Sequence, residues 1–238
     1  MPKIVEKMSK IYSPNFNLNK RRKSQVKYLI YHYTGMKSEK EAIKRLTKNN
    51  SNVSCHYLIK KDGEIIQIVP DLYIAWHAGI SFWKKDISLN SKSIGIELSN
   101  PGHMNGYTFF SKKQISSLIK LSKILLKKFN IKKENVLGHS DIAPLRKIDP
   151  GEKFPWKLLS KKNICLWHNV NQNICKKFRN SKVDEAKFYK LLFKFGYKIS
   201  KKKDDKIRIY KNFQRRFRPQ IISSIVDQES YAILKSLI

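Results

Sequence analysis

Two histidines and a set of carboxylates carry the densest chemistry in this chain. The tract Gly138-His139-Ser140-Asp141-Ile142-Ala143-Pro144-Leu145-Arg146-Lys147-Ile148-Asp149-Pro150-Gly151 packs a His, two Asp and a Lys into one turn-rich stretch of a 238-residue chain that has six His in all. With His32 it makes a two-His, one-Asp set, and three such ligands leave a zinc ion one open position for water. That is the arrangement of a catalytic zinc, and it implies a hydrolase. Hydrolysis also needs a base for the water proton and a cation for the developing oxyanion. Glu97 is the candidate base: it is a carboxylate inside the otherwise apolar run Ser93-Ile94-Gly95-Ile96-Glu97-Leu98, where an unpaired charge is expensive. The competing reading turns Glu97 to solvent at a strand edge. Lys147 is the candidate cation, because two residues before Asp149 in an extended loop its side chain points the same way. Either Asp149 or Asp141 can be the third ligand, and spacing alone does not separate them.

The remaining histidines have local readings. His77, in Ala75-Trp76-His77-Ala78-Gly79, sits beside an aromatic in a Gly-containing loop and reads as a substrate-binding wall or as a packed loop. His56 alternates with apolar neighbours and reads as a hydrogen-bonded structural residue. His103 and His168 lie in polar stretches and read as surface residues. Ser140 and Asp141 beside His139 do not make a Ser-His-Asp triad, since three adjacent residues cannot form that geometry and the nucleophile-elbow pattern is absent.

The elements that must position these groups follow from the apolar spacing. Val26 to Tyr33 is rich in β-branched and aromatic residues and predicts a buried strand with His32 near its end. Ser38 with Glu41 is a capping box, and Ala42, Ile43 and Leu46 give a helix running to about Lys48. His56–Lys60 and Ile65–Val69 predict a hairpin through Asp62-Gly63. Ile94, Ile96 and Leu98 alternate in a further strand, where Glu97 shares a face with Gly95 and the missing side chain leaves room above the sheet. Ser111 with Gln114 opens a helix whose Ile115, Leu118, Ile119, Leu125, Leu126 and Phe129 recur at three- and four-residue spacing. Ile131, Val136 and Leu137 lead a last strand to His139. Strands interleaved with helices predict an α/β domain with a mixed sheet. Residues 1–23 read as a polar N-terminal segment, 24–160 as the main domain, 161–182 as a linker and 183–238 as a small all-α unit of three helices, with a stop at Phe195-Gly196-Tyr197.

Lys and Arg number 50 against 18 Asp and Glu, a net charge of +32. Such a charge favours an anionic partner or surface, although the Lys residues are spread along the whole chain, as a compositional bias would spread them. The three cysteines, Cys55, Cys165 and Cys175, share no CxxC spacing, so neither a disulfide framework nor a Cys-rich zinc site is expected, and a Cys165–Cys175 bridge is not favoured. Met1 to Lys23 has no apolar signal region, and no run is long enough to cross a bilayer. The expectation is a cytoplasmic protein, with a periplasmic or non-classically secreted one as the alternative.

Taken together, Tyr31-His32-Tyr33-Thr34, Ala75-Trp76-His77-Ala78-Gly79, Ser93-Ile94-Gly95-Ile96-Glu97 and the tract at 138–151 resemble the zinc N-acetylmuramoyl-L-alanine amidases of the AmpD/AmiD group over roughly residues 24 to 160. The resemblance implies one zinc per chain on His32, His139 and Asp149, Glu97 as catalytic acid/base, Lys147 at the transition state, and Trp76 and His77 along the substrate groove. It implies the amidase/peptidoglycan-recognition fold, a mixed central sheet flanked by helices. The implied reaction is hydrolysis of the bond between N-acetylmuramoyl, or its 1,6-anhydro form, and L-Ala in peptidoglycan or muropeptides. Residues 183 to 238 are similar to three-helix peptidoglycan-binding modules, with Ser223-Ser224-Ile225-Val226-Asp227 replacing their usual acidic-Gly turn. Asn52 stands where some recycling amidases carry an Arg, which favours AmiD-like specificity. The rival readings are a non-catalytic peptidoglycan-recognition protein, which should lack a ligand or the acid/base, and a basic nucleic-acid-binding protein, for which no recognised motif is present.

Overall fold

A computed structural model describes residues 8–171, 181 and 183–238. Ten short strands fall at Met8–Lys10 (β1), Phe16–Asn17 (β2), Tyr28–Tyr33 (β3), Tyr57–Ile59 (β4), Ile65–Gln67 (β5), Ile74–Ala75 (β6), Phe82–Trp83 (β7), Asp86–Ile87 (β8), Ser93–Leu98 (β9) and Val136–Gly138 (β10). The described helices are Glu39–Thr47 (α1), Lys112–Phe129 (α2), His139–Ile142 (α3), Trp156–Lys161 (α4), Glu185–Phe195 (α5), Lys203–Phe217 (α6) and Gln228–Ser236 (α7). Among them no helix is long and apolar enough to cross a membrane.

The main sheet has the order β1-β5-β4-β9-β3-β10, in which only the β4–β5 pair is antiparallel. The long central strands β3 and β9 are buried on both faces, as their near-continuous apolar sequence requires. One face carries Leu29, Tyr31, Ile94 and Ile96 against Leu118, Leu121 and Leu125 of α2 and against Trp156 and Leu159 of α4. The opposite face is shared: Leu58 and Ile66 pack under Leu46 of α1, while Tyr28, Ile30 and Leu137 pack under α5, α6 and α7. Ser38 caps α1 by accepting from Glu41 N at 3.1 Å, and Ser111 caps α2 by accepting from Gln114 N at 3.1 Å. Both serines cap their helices as expected, while Gln114 sends its amide to Ile59 O and Ser99 O instead of back to the cap; the hairpin and the three C-terminal helices are also present.

Three expectations change. From Met8 onward the polar N-terminal segment belongs to sheet structure, β1 pairing with β5 and β2 with β6. Strands of two or three residues are too short to leave a periodic signal, and Asn15 is anchored by donating to Lys48 O and Ser51 Oγ, both at 2.9 Å. The helices at 183–238 share their apolar cluster with the sheet, through Phe188, Phe213 and Phe217 on one side and Tyr28, Ile30 and Leu137 on the other. Gly196 ends α5 at φ +148°, where a Cβ would also meet Trp83 at 2.6 Å, so the position requires glycine. Of the expected linker, residues 172–180 and 182, with Cys175, lie outside the described residues. Its first part is packed: Ile164 and Cys165 are in the core, and His168 is buried beside Phe217 O at 3.0 Å instead of at the surface.

Candidate active site

Register builds the site first. In the parallel β3–β9 pair His32 lies opposite Glu97 and Ile30 opposite Gly95, so both pairs project from the same face of the sheet. β10 flanks β3, with Gly138 opposite Tyr31. His139 therefore enters beside His32, as the first residue of α3 and not, as expected, at the end of the strand. The chain then turns through Pro144 to Arg146 and returns at Asp149, whose carbonyl accepts from Ser140 N at 2.8 Å.

His32 Nδ1, His139 Nδ1 and Asp149 Oδ2 form a triangle with sides of 2.9, 3.2 and 3.1 Å, and all three residues are buried. Ligand bonds of ~2.0–2.1 Å to a tetrahedral zinc imply edges of about 3.3 Å between donor atoms, so the set fits a small divalent cation. It is the one group of three or more potential metal ligands among the described residues.

The hydrogen-bond chain behind His32 selects the tautomer. Ser93 Oγ donates to Leu89 O at 2.6 Å, which leaves its lone pairs for the Nε2–H of His77 at 3.1 Å. His77 Nδ1 is then an acceptor and faces Nε2–H of His32 at 3.0 Å. The lone pair of His32 Nδ1 is thus directed at His139 and Asp149. His139 is fixed in the same sense by Ala78 O, 3.3 Å from its Nε2. Burial first, then the neighbouring His139, pushes the His32 pKa down to about 4 against the opposing pull of Asp149, so the ring is neutral near neutral pH. Burial and the neighbouring His32, His56, His139 and Arg21 hold His77 well below the usual range as well.

Glu97 faces the same space. Burial, then repulsion by Asp149, pushes its carboxyl up to about 8, while Lys147 pulls the other way. Its Oε2 is buried without a hydrogen-bond partner among the described residues, which is the signature of a carboxyl kept for something other than the fold. A groove of about 450 Å³ opens over the set and is lined by Glu97, His139, Lys147 and Asp149, with Tyr33, Met36, Arg45, Leu46 and Met104 among its walls.

Of the residues singled out in the sequence, His32, Glu97, His139, Lys147 and Asp149 are brought together here. His77 reaches the groove, but it is buried and both ring nitrogens are engaged by His32 and Ser93. Trp76 is not among the residues lining the groove, and its indole N–H donates to Asn17 Oδ1 at 2.6 Å. Asp141 turns away from the triangle and accepts from Gly138 N at 2.7 Å, from Arg216 and from Tyr197. His56 is buried and accepts from Gly95 N at 3.0 Å. His103 is half-buried and bonded to Tyr33 and Glu152, not a free surface residue.

Sequence reasoning missed the Ser93–His77–His32 chain, although one signal was present. A Cβ at Gly95 would fall 2.4 Å from His77 Cγ, so the room left above the sheet by that glycine is the seat of the His77 ring.

Comparison with known proteins identifies the family. Residues 22–152 match the family model described as N-acetylmuramoyl-L-alanine amidase. The chain is 35% identical over 257 aligned residues to N-acetylmuramoyl-L-alanine amidase AmiD of Escherichia coli (strain K12), covering 99% of this chain and 90% of that protein. The structure of the E. coli AmiD complex with the substrate anhydro-N-acetylmuramic acid-L-Ala-D-gamma-Glu-L-Lys is similar with a TM-score of 0.83 at 34% identity, covering 93% of this chain and 91% of that one. AmpDh3 of Pseudomonas aeruginosa, in complex with anhydromuramic pentapeptide, gives 0.81 at 28% identity, over 94% of this chain and 95% of that one.

Proposed function

This chain belongs to the N-acetylmuramoyl-L-alanine amidase family, and we propose that it hydrolyses the amide between N-acetylmuramoyl, the 1,6-anhydro form included, and the L-Ala of the stem peptide, with one zinc ion held by His32, His139 and Asp149. The observation that carries this reading is the buried triangle of donor atoms with an unpartnered Glu97 on the same groove. The substrates bound by AmiD and AmpDh3 support the anhydro-muropeptide as a ligand.

Bound zinc supplies a Lewis acid for the amide carbonyl and lowers the pKa of water. The remaining work falls to the side chains. Glu97, in its ionised form, takes a proton from the attacking water and returns it to the amine of L-Ala as the C–N bond breaks. Burial raises its pKa in the metal-free protein, and a bound cation would pull it back down. Lys147, in the groove wall, places a fixed positive charge beside the developing oxyanion. His77 and Ser93 hold the His32 ring in one tautomer and one plane. Met36, Leu46 and Met104 give the groove an apolar wall, and Arg45 offers a cation for the carboxylates of a stem peptide. Every residue given a role here lies within residues 24–160, and the helices at 183–238 pack onto the sheet that carries them.

Glu97→Gln tests the assignment. The expected variant folds, keeps the wild-type metal content and releases L-Ala peptides at least a hundredfold more slowly. A folded, metal-loaded variant working at the wild-type rate contradicts it.

A further inference from the structure

The tract that carries His139, Lys147 and Asp149 has little structure of its own. Its helix, α3, is four residues long, which is far below the length at which a helix holds itself, and the rest is turn. Bonds to Ala78 O and Ile80 O from Arg146, and from Tyr107 to Pro150 O, hold part of it, and α6 holds the rest through three residues on one helical face. Asn212 is buried at 1% exposure, and its side-chain amide donates to Pro144 O at 2.8 Å and Lys147 O at 2.9 Å. These two carbonyls bracket the turn that presents Lys147 and leads to Asp149. Arg215 donates to Asn212 Oδ1 at 2.9 Å, which orients the amide, and its Nε lies 3.5 Å from Glu152 just past the tract. Arg216, 2% exposed, donates to Asp141 and, at 3.0 Å, to Val136 O. Asp141 accepts in turn from Gly138 N, immediately before His139. Spacing of three and four residues puts 212, 215 and 216 on one side of α6, and the three reach the beginning, the middle and the end of the tract.

We infer that Asn212 and Arg216 are positioning residues of the active centre, and that α6 is a clamp which sets the reach of Lys147 and the placement of His139 and Asp149. The helical unit at 183–238 is therefore part of the catalytic machinery in this chain, whatever contact it also makes with polymer. A buried amide that spends both protons on the backbone of this loop ties the loop directly to α6. Misplacement of reacting groups by about 1 Å costs about a hundredfold in rate.

The test uses the full chain with Asn212→Leu, a soluble anhydro-muropeptide as substrate, and zinc affinity measured by chelator competition. The expected variant unfolds cooperatively, loses at least tenfold in kcat with KM changed less than threefold, and binds zinc at least tenfold more weakly. If it fails to fold, Arg215→Gln at the half-buried position decides, with the same direction and a smaller loss. Wild-type kcat and zinc affinity in a folded Asn212→Leu, or in Arg215→Gln where the first variant does not fold, overturn the inference. So does a change confined to sedimentation with insoluble peptidoglycan. The inference rests on the metal-site reading above, and the wild-type arm separates the two: retained activity after chelation sinks that reading, whereas loss on chelation with an unaffected Asn212→Leu sinks the clamp alone.

Discussion

His77 Nδ1 lies 3.0 Å from Nε2 of His32, on the side of the ring opposite His139 and Asp149. The pair converts a loop histidine that sequence reading placed along the substrate groove into the residue that decides which nitrogen of His32 faces the ligand triangle. Removing it frees the His32 ring to rotate and to exchange tautomers. His77→Ala is expected to weaken metal binding by about 10–100-fold, the usual cost of losing an outer-shell partner, while kcat of the fully loaded protein falls less. Chelator competition against wild type measures it, and unchanged affinity contradicts the tautomer argument.

Gly95 gives a prediction whose sign is unusual. Gly to Ala inside a strand normally gains about 0.5–1 kcal/mol from backbone entropy. Here the added methyl carbon meets the His77 ring at 2.4 Å, so Gly95→Ala is expected to destabilise by about 1–3 kcal/mol, as other overpacked sites do, and to weaken metal binding in the same direction as His77→Ala. Denaturant unfolding read together with metal affinity checks both. A stabilised variant with normal affinity contradicts the account.

Glu97 makes the metal-free protein pH-sensitive. Burial raises its folded pKa to about 8 from the ordinary 4.5. The protonated form is thus favoured by the fold, and its contribution to stability is complete below about pH 4.5 and disappears as the pH rises through about 8. The difference in unfolding free energy between Glu97→Gln and wild type, both chelated, is expected to move in favour of the variant by on the order of 1–3 kcal/mol between pH 5 and pH 9. Denaturant titrations across that range measure it, and parallel pH profiles for the two proteins contradict the assignment.

Much of this site was legible in the sequence because its signals are local. The apolar run around His32, the charge at Glu97 inside a strand and the crowding of His, Lys and Asp at 138–151 each stand out within a few residues. What escaped depends on distant partners. Asp141 competed with Asp149 as a ligand in the bottom-up reading, and what turns it away is Arg216, 75 residues later, together with Tyr197. His77 gave an ambiguous loop signal because its role needs β9 beside β3 and a glycine on β9. The strands before residue 23 were missed because two or three residues carry no period. The clamp on α6 leaves no local signal, since Asn212, Arg215 and Arg216 acquire meaning only against the loop they hold.

The central claim is that His32, His139 and Asp149 hold one zinc that this chain needs to cut the muramoyl–L-alanine amide. The most direct measurement is metal stoichiometry of the purified full chain combined with mass analysis of the products from an anhydro-muropeptide, before and after chelation. The account predicts one zinc per chain, products separated between the muramoyl lactyl carbonyl and the amine of L-Ala, and loss of that cleavage on chelation with recovery on adding zinc. Full-rate cleavage by metal-free protein, or cleavage at another bond, contradicts it.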